Sequence, residues 1–304
     1  MPINDAIIEY LDELEITNTS KETIRAYKNA LKIFSKFIKE DTDITKINVS
    51  DIKAFHQFNK DRGLKQKTLN SYISAIRGMF NYLIDEQIVT NNPAMSVKLE
   101  RAKDKKIIEV FTKDEVKRLV NWNKKSRDFL DVRNSLIISF LLETGCRNHE
   151  LSYLKESDIH NGFIYFKVTK NSKPRVVPVS RLLEKQMRRY KRIKDSYFKR
   201  LGKEDVIEDF YILSKSGKRL WQQNIGGVVD KACISCDIDM YKAYPHNFRH
   251  TYAVMMLKNT GNIHLVSKLL GHGNLSITED YLRGLTNDDV IEMVEGNSIL
   301  ESLK

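Results

Sequence analysis

The sequence predicts a mainly α-helical fold with one small β-sheet, arranged as an N-terminal four-helix domain and a C-terminal α+β domain. Three observations carry that prediction. Residues 1–100 hold only helix-period apolar patterns. Two β-rich runs, "FIYFKV" (163–168) and "RVVPV" (175–179), sit close together in the second half. Charge is also divided: residues 1–100 carry 14 basic and 14 acidic side chains, whereas residues 101–304 carry 37 against 26.

The elements follow in chain order. "TSKETIRAYKNALKIFSKFIKE" sets Thr19 and Glu22 in capping-box spacing and then places Ile24, Tyr27, Leu31, Phe34 and Ile38 on one face. "SDIKAFHQFNKDRG" reads as a helix capped by Ser50 and stopped near Gly63. "KTLNSYISAIRGMFNYLIDEQ" carries Leu69, Ile73, Ile76, Phe80 and Leu83 at helical spacing, and Asn91, Asn92 and Pro93 break it. Lys65, Lys67 and Arg77 are expected on the outer face of this unit, as DNA-facing positions. Residues 98–110 are charge-rich and poorly periodic, so the domains are expected at 1–99 and 112–284, joined by a linker at 100–111. A second capping box, Thr112 with Glu115, opens the next helix. "RNSLIISFLLETG" is a strongly apolar helix with Gly145 as a natural C-cap. The β-rich runs form a hairpin across "TKNSKP", and "FYIL" (210–213) reads as a further short strand. Residues 181–204 hold ten Lys/Arg against three acids, a basic helix around an aliphatic and aromatic stripe.

Composition bounds the function. With 41% hydrophobic residues, 5 Pro and 13 Gly, the chain is core-forming rather than disordered. It holds no run of about 18 apolar residues and no basic-then-apolar leader. An odd count of 3 cysteines argues against a disulfide framework. The expectation is a soluble cytoplasmic, nucleoid-associated protein with no membrane partner. A net charge of +11, all of it from the second half, favours nucleic acid as the partner.

Four stretches of the basic half then converge on one chemistry. "TGCRNHEL" (144–151) puts Arg147 just past a helix end. The hairpin tip carries Lys170 and Lys173. "PHNFRHTYA" (245–253) starts a helix with Pro245 and spaces His246 and Arg249 three apart. "LLGHGNLSITEDYLR" (269–283) sets His272 nine residues ahead of Tyr281. Two guanidinium forks can hold the nonbridging oxygens of a phosphodiester and stabilise the charge that grows there as a nucleophile adds, with no metal or cofactor. A tyrosine, with a pKa of about 10, needs an imidazole to take its proton or orient the phosphate. A mobile lysine can protonate the departing sugar oxygen.

These motifs, T-G-x-R-x-x-E-L, H-x-x-R-H-T, and L-G-H followed after eight residues by Tyr, resemble in type and order those of the tyrosine recombinases, the phage integrase and Xer-type site-specific recombinase family. The resemblance covers essentially the whole chain. It implies an N-terminal SAM-like core-binding domain, a C-terminal tyrosine recombinase catalytic domain and strand exchange through a 3′-phosphotyrosyl intermediate and a Holliday junction. It implies that Arg147 and Arg249 clamp the scissile phosphate, Tyr281 attacks, His246 assists proton transfer, His272 contacts a nonbridging oxygen and Lys170 is the general acid. Glu150 would support Arg147 from behind, and Lys173 and Arg175 would contact DNA. Cys146 replaces a usual aliphatic residue, and "TKNSKPR" replaces a glycine-flanked lysine turn, which leaves Lys173 as a competitor to Lys170.

The partners implied are double-stranded DNA carrying a specific recombination site, a homotetramer on two such sites, and a second recombinase or accessory proteins. The tail, 285–304, is expected to dock between protomers through stripes at Val290, Ile291, Val294, Ile299, Leu300 and Leu303. A type IB-like topoisomerase and a non-catalytic DNA-binding protein are the alternatives. Two side motifs are set aside. His246 and His250 are four apart on a helix but lack a third ligand, and the Cys233/Cys236 pair is a lone C-x-x-C.

Overall fold

The computed structural model describes residues 1–99, 109–160, 162–167, 174–272, 274–275 and 278–279. The chain forms two compact units, Met1–Lys106 and Ile107–Lys304.

Among its described residues the first unit holds four α-helices: α1 (Ile3–Ile16), α2 (Lys21–Ile38), α3 (Val49–Asp61) and α4 (Gln66–Asp85). Their apolar stripes meet in one core, in which Leu31, Phe34, Phe55, Ile73, Ile76 and Phe80 are buried. Phe34 meets Phe55 edge-on with ring centroids 5.1 Å apart. Gly78, inside α4, lets α1 approach, since a Cβ there would collide with the Tyr10 hydroxyl. Two caps differ from expectation by one or two residues. Ser20, not Thr19, caps α2 by accepting from the Thr23 amide. Asn48, not Ser50, caps α3 in a reciprocal box with Asp51. In each case the residue with an extended backbone just before the helix wins, because only it can turn its oxygen back onto the first turn.

The second unit is built around α6 (Phe129–Thr144), which is buried at most positions and on all sides, its polar Arg133, Asn134, Ser135, Ser139 and Thr144 included. Helix α5 (Lys113–Asn121) opens with the expected Thr112–Glu115 box, both halves formed. Phe111, which the sequence assigns to the linker, is core: it is buried against Phe248 at 4.8 Å, and its amide donates to Thr251 Oγ1. After the short helix α7 (Asn148–Ser152) comes an antiparallel three-stranded sheet in the order β1 (Ile159–His160), β2 (Phe163–Phe166), β3 (Arg175–Pro178). Phe166 pairs with Arg175 beside the hairpin connection. The two-residue β1 was not foreseen, and "FYIL" supplies a single bridge, Leu213 to Arg219, instead of a strand. Helices α8 (Arg181–Arg200), α9 (Gln222–Ser235), α10 (Pro245–Thr260) and α11 (Ile263–Leu270) follow among the described residues. Helices α8 and α10 both pack on α6. Among the described residues no helix is long and apolar enough to cross a membrane.

Candidate active site

Gly145 ends α6 in a left-handed conformation, φ 56°. A Cβ there would lie 2.5 Å from Tyr252 Cδ1 and 3.0 Å from Leu270 Cδ2, so conformation and packing both require glycine. The tight stop lets the chain re-enter a helix at once, with Arg147 as the extended N-cap of α7. Glu150 sits three residues on and accepts from the Arg147 amide at 2.8 Å and from Arg147 Nη1 at 3.0 Å.

Glu150 also receives a second guanidinium. Arg175 donates Nη1 to Oε1 and Nη2 to Oε2, both at 2.8 Å, a bidentate fork. The Glu150 side chain is 2% exposed, that of Arg175 3% and that of Arg147 30%. Burial alone would raise the Glu150 pKa; hydrogen bonds and charge from Arg175, then from Arg147, override it and hold the carboxyl at about 2 against an ordinary 4.5. One carboxylate between two cations leaves one net positive charge, and Arg147 is the member that faces solvent.

This corrects one expectation. Arg175 does not point to a DNA surface. Strand β3 alternates buried and exposed, so Arg175 faces inward with Val177. Period-2 counting from Val177 would have shown this in the sequence. Arg77 is corrected too: its Nε donates to Ala94 O at 3.0 Å, and Nη2 reaches Val97 O, so it brackets the turn Pro93–Ser96. Lys65 and Lys67 are exposed.

Arg249, on α10, is 1% exposed. Nη1 donates to Gly145 O at 2.8 Å and Nη2 to Leu270 O at 2.6 Å. These carbonyls lie at the C-terminal ends of α6 and α11, where helix dipoles favour a cation. The resemblance implies that both arginines clamp one phosphate; the structure leaves Arg147 partly exposed and buries Arg249.

His272 follows Gly271, the left-handed C-cap of α11, and its Nδ1 shares a 2.8 Å hydrogen bond with the hydroxyl of Thr278, which is fully buried. Thr278 was not anticipated; a polar residue six positions after a loop histidine is a weak signal. Burial, then the charges of Arg249, Arg147 and Arg175, push the His272 pKa down to about 3. His246 is exposed at the start of α10, with its ring 4.6 Å from that of His250. Desolvation and the charges of Arg249 and Arg147 lower its pKa. The same arginines act on both imidazoles, so all four groups share one electrostatic neighbourhood, and His246 and His272 are neutral at neutral pH. Lys170, Lys173 and Tyr281 lie outside the described residues.

The catalytic half, residues 109–287, matches the model of the phage integrase family, and residues 7–87 match that family's N-terminal SAM-like domain. The chain belongs to the phage integrase family. Among the curated members, tyrosine recombinase XerD of Oceanobacillus iheyensis is 31% identical over 268 residues, covering 86% of this chain and 87% of the relative. Tyrosine recombinase XerC of Bacillus pumilus is 30% identical over 278 residues, covering 90% and 89%. Among solved structures, a XerH site-specific recombinase bound to its palindromic difH substrate superposes with a TM-score of 0.72 at 22% identity, covering 93% of this chain and 81% of that one. That likeness shows the fold: a SAM-like helical domain and an integrase catalytic domain, mostly helical with the small sheet. The chain is thus an enzyme of the tyrosine recombinase family.

The buried groups predict an acid response. The unfolded chain protonates its histidines near 6.5, whereas in the folded protein burial holds His250 at about 4 and His272 at about 3. A depressed histidine contributes stability that is fully present above about 6.5 and lost as pH falls toward the folded values. The melting temperature should fall between pH 7.5 and 5, and it should fall less in a His250→Gln, His272→Gln variant. Equal slopes in thermal melts of the two proteins would refute this.

Proposed function

We propose that this chain is a site-specific DNA recombinase that breaks and rejoins strands through a 3′-phosphotyrosyl intermediate and a Holliday junction, as an Xer-like resolvase or a mobile-element integrase. The observation that carries the reading is the Arg147–Glu150–Arg175 triad. A carboxylate buried between two guanidinium groups locks one of them and aims the other outward, as a phosphate clamp requires. Arg249 adds a second fixed positive charge from below, in a water-poor setting where Coulomb effects are strong.

In this mechanism the scissile phosphate lies against Arg147, above Arg249. Tyr281 attacks phosphorus, and its bond to the phosphate replaces the bond to the 5′ oxygen of the departing strand. Neutral His246 can take the tyrosine proton. Neutral His272, positioned through Nδ1 by Thr278, can donate from Nε2 to a nonbridging oxygen. Lys170 on the hairpin, with Lys173 as its competitor, protonates the leaving 5′ oxygen. The bond energy is kept in the phosphotyrosine, so the hydroxyl of another strand can reverse the step. The partners would be duplex DNA with a specific site and three further copies of the chain, with the tail from 285 onward, which lies outside the described residues, docking between protomers. Cytoplasmic, nucleoid-associated action fits those partners.

Covalent trapping tests the reading. With labelled duplex from the DNA flanking the gene, in EDTA, wild type should form a denaturation-resistant adduct, and Tyr281→Phe should bind the same duplex without forming one. Binding by wild type with no adduct would sink the enzyme reading, and an adduct in the Phe variant would move the nucleophile elsewhere.

A further inference from the structure

Helix α8 is the basic run that the active site does not use. Of its nine basic side chains, three are paired with carboxylates. Arg188 pairs with Glu184 at 3.0 Å, Lys191 with Asp195 at 3.4 Å and Lys194 with Glu156 at 2.5 Å. Arg192 and Arg200 have no carboxylate partner among the described residues. They are two turns apart on one face, with Ser196 between them. Both line an open cavity of about 380 Å³ together with Arg127, from the loop before α6.

The cavity is held in shape. Arg189 donates to Lys124 O at 2.9 Å and also to Ser126 O, pinning that loop to α8. Its floor is the Tyr197 ring, stacked on Phe129 at 4.4 Å and 14°, with the Arg200 guanidinium 5.9 Å from the Tyr197 centroid. The only acid in the lining is Asp128, whose Oδ1 already accepts from the Leu130 and Asp131 amides as the cap of α6. Three guanidinium groups against one carboxylate leave the concavity with two net positive charges, which favour an anion.

The site is not the catalytic cleft. Arg249 binds the carbonyl at the C-terminal end of α6, while this cavity lies at the N-terminal end of the same 16-residue helix, roughly 24 Å away at 1.5 Å per residue. We propose that the Arg127–Arg192–Arg200 cavity binds a backbone phosphate of a DNA segment other than the one at Arg147. Guanidinium forks suit phosphodiester oxygens. Exposed Lys124, Lys125, Lys199 and Lys203 continue the positive surface on both sides, as a linear polyanion requires and a single small anion does not.

The test is salt-dependent binding of a 30-bp duplex of arbitrary sequence to the full chain. Each lost phosphate contact lowers the slope of log K against log salt by about 0.9. Arg192→Gln with Arg200→Gln should lower it by about 0.9, and Arg127→Gln alone by part of that, because the three arginines share one phosphate. The control pair Arg188→Gln with Lys191→Gln, which removes equal charge from the same helix outside the cavity, should change it by less than half as much as the cavity pair. Adding Arg147→Gln should lower the slope further by its own full amount, because the two sites hold different phosphates. All changed side chains are exposed or partly so, and melting curves report folding. Equal falls in the cavity and control pairs would mean diffuse charge and overturn the site. So would an unchanged slope. Loss of poly-glutamate binding with duplex binding intact would assign the cavity to an acidic protein segment and overturn it too. None of these outcomes depends on strand cleavage, so the recombinase reading stands or falls separately.

Discussion

Replacing Arg249 with alanine is expected to reduce single-turnover strand cleavage by roughly 10³-fold, the scale seen when a positioned donor or cation is removed from developing phosphoryl or oxyanion charge. Stability should fall as well. The guanidinium joins Gly145 O to Leu270 O, two helix C-terminal carbonyls with no intrahelical partner. Leaving buried carbonyls unmade costs about 1–3 kcal/mol each, so a loss of about 3 kcal/mol is expected. Arg249→Lys separates the two effects. It keeps the charge, but one ammonium on a flexible stem cannot reproduce the planar fork, so cleavage should recover only in part and the melting temperature should stay low. Cleavage at the wild-type rate in Arg249→Ala would remove Arg249 from the machinery.

Glu150→Ala is expected to have the largest effect on folding. It leaves Arg175, with its side chain 3% exposed, as a buried charge without a counter-ion. Breaking such a pair from one side costs about 3–5 kcal/mol, or roughly 10 °C in melting temperature for a unit of this size. A double variant, Glu150→Leu with Arg175→Met, should regain much of that stability, because apolar groups of similar volume replace a buried ion pair at little cost. Cleavage should not return with it, since Arg147 would have lost both the carboxylate and the amide anchor that aim it. Recovery of both would make Glu150 purely structural. The sign with pH is that of any salt-bridged carboxylate: the folded pKa is held at about 2, so the contribution of Glu150 is complete above about 4.5 and is lost as pH falls through 2.

Much of this architecture was legible from local pattern. The helix-period stripes of α2 and α4, the Thr112–Glu115 box, Gly145 as a C-cap and Pro245 at the first position of α10 all depend on neighbours within a few residues. So do the motif residues Arg147, Glu150, His246, Arg249 and His272, whose order along the chain points to phosphoryl transfer. Caps slipped by one or two positions because several adjacent Ser, Thr and Asn residues compete for each helix start. Strand β1 was missed because two residues are too few to show a period, and "FYIL" looked like a strand because buried apolar runs do not reveal whether a pairing partner exists.

What the sequence by itself determined is the helices, the hairpin and the set of candidate catalytic groups, since propensity, capping and residue type are local properties. What only the tertiary structure decided is how those groups divide the labour. Arg175 and Arg77 carry the same guanidinium as Arg147, yet Arg175 holds Glu150 from inside a sheet face and Arg77 holds the carbonyls of a turn. Arg249 lies beneath the surface, because two helix ends from distant parts of the chain meet around it. The cavity at Arg127, Arg192 and Arg200 likewise exists only because a loop is pinned to a helix some 60 residues away. The physical reason is the same in each case. A charged side chain takes its role from the desolvated partners that surround it, and long-range packing, not the local sequence, brings those partners together.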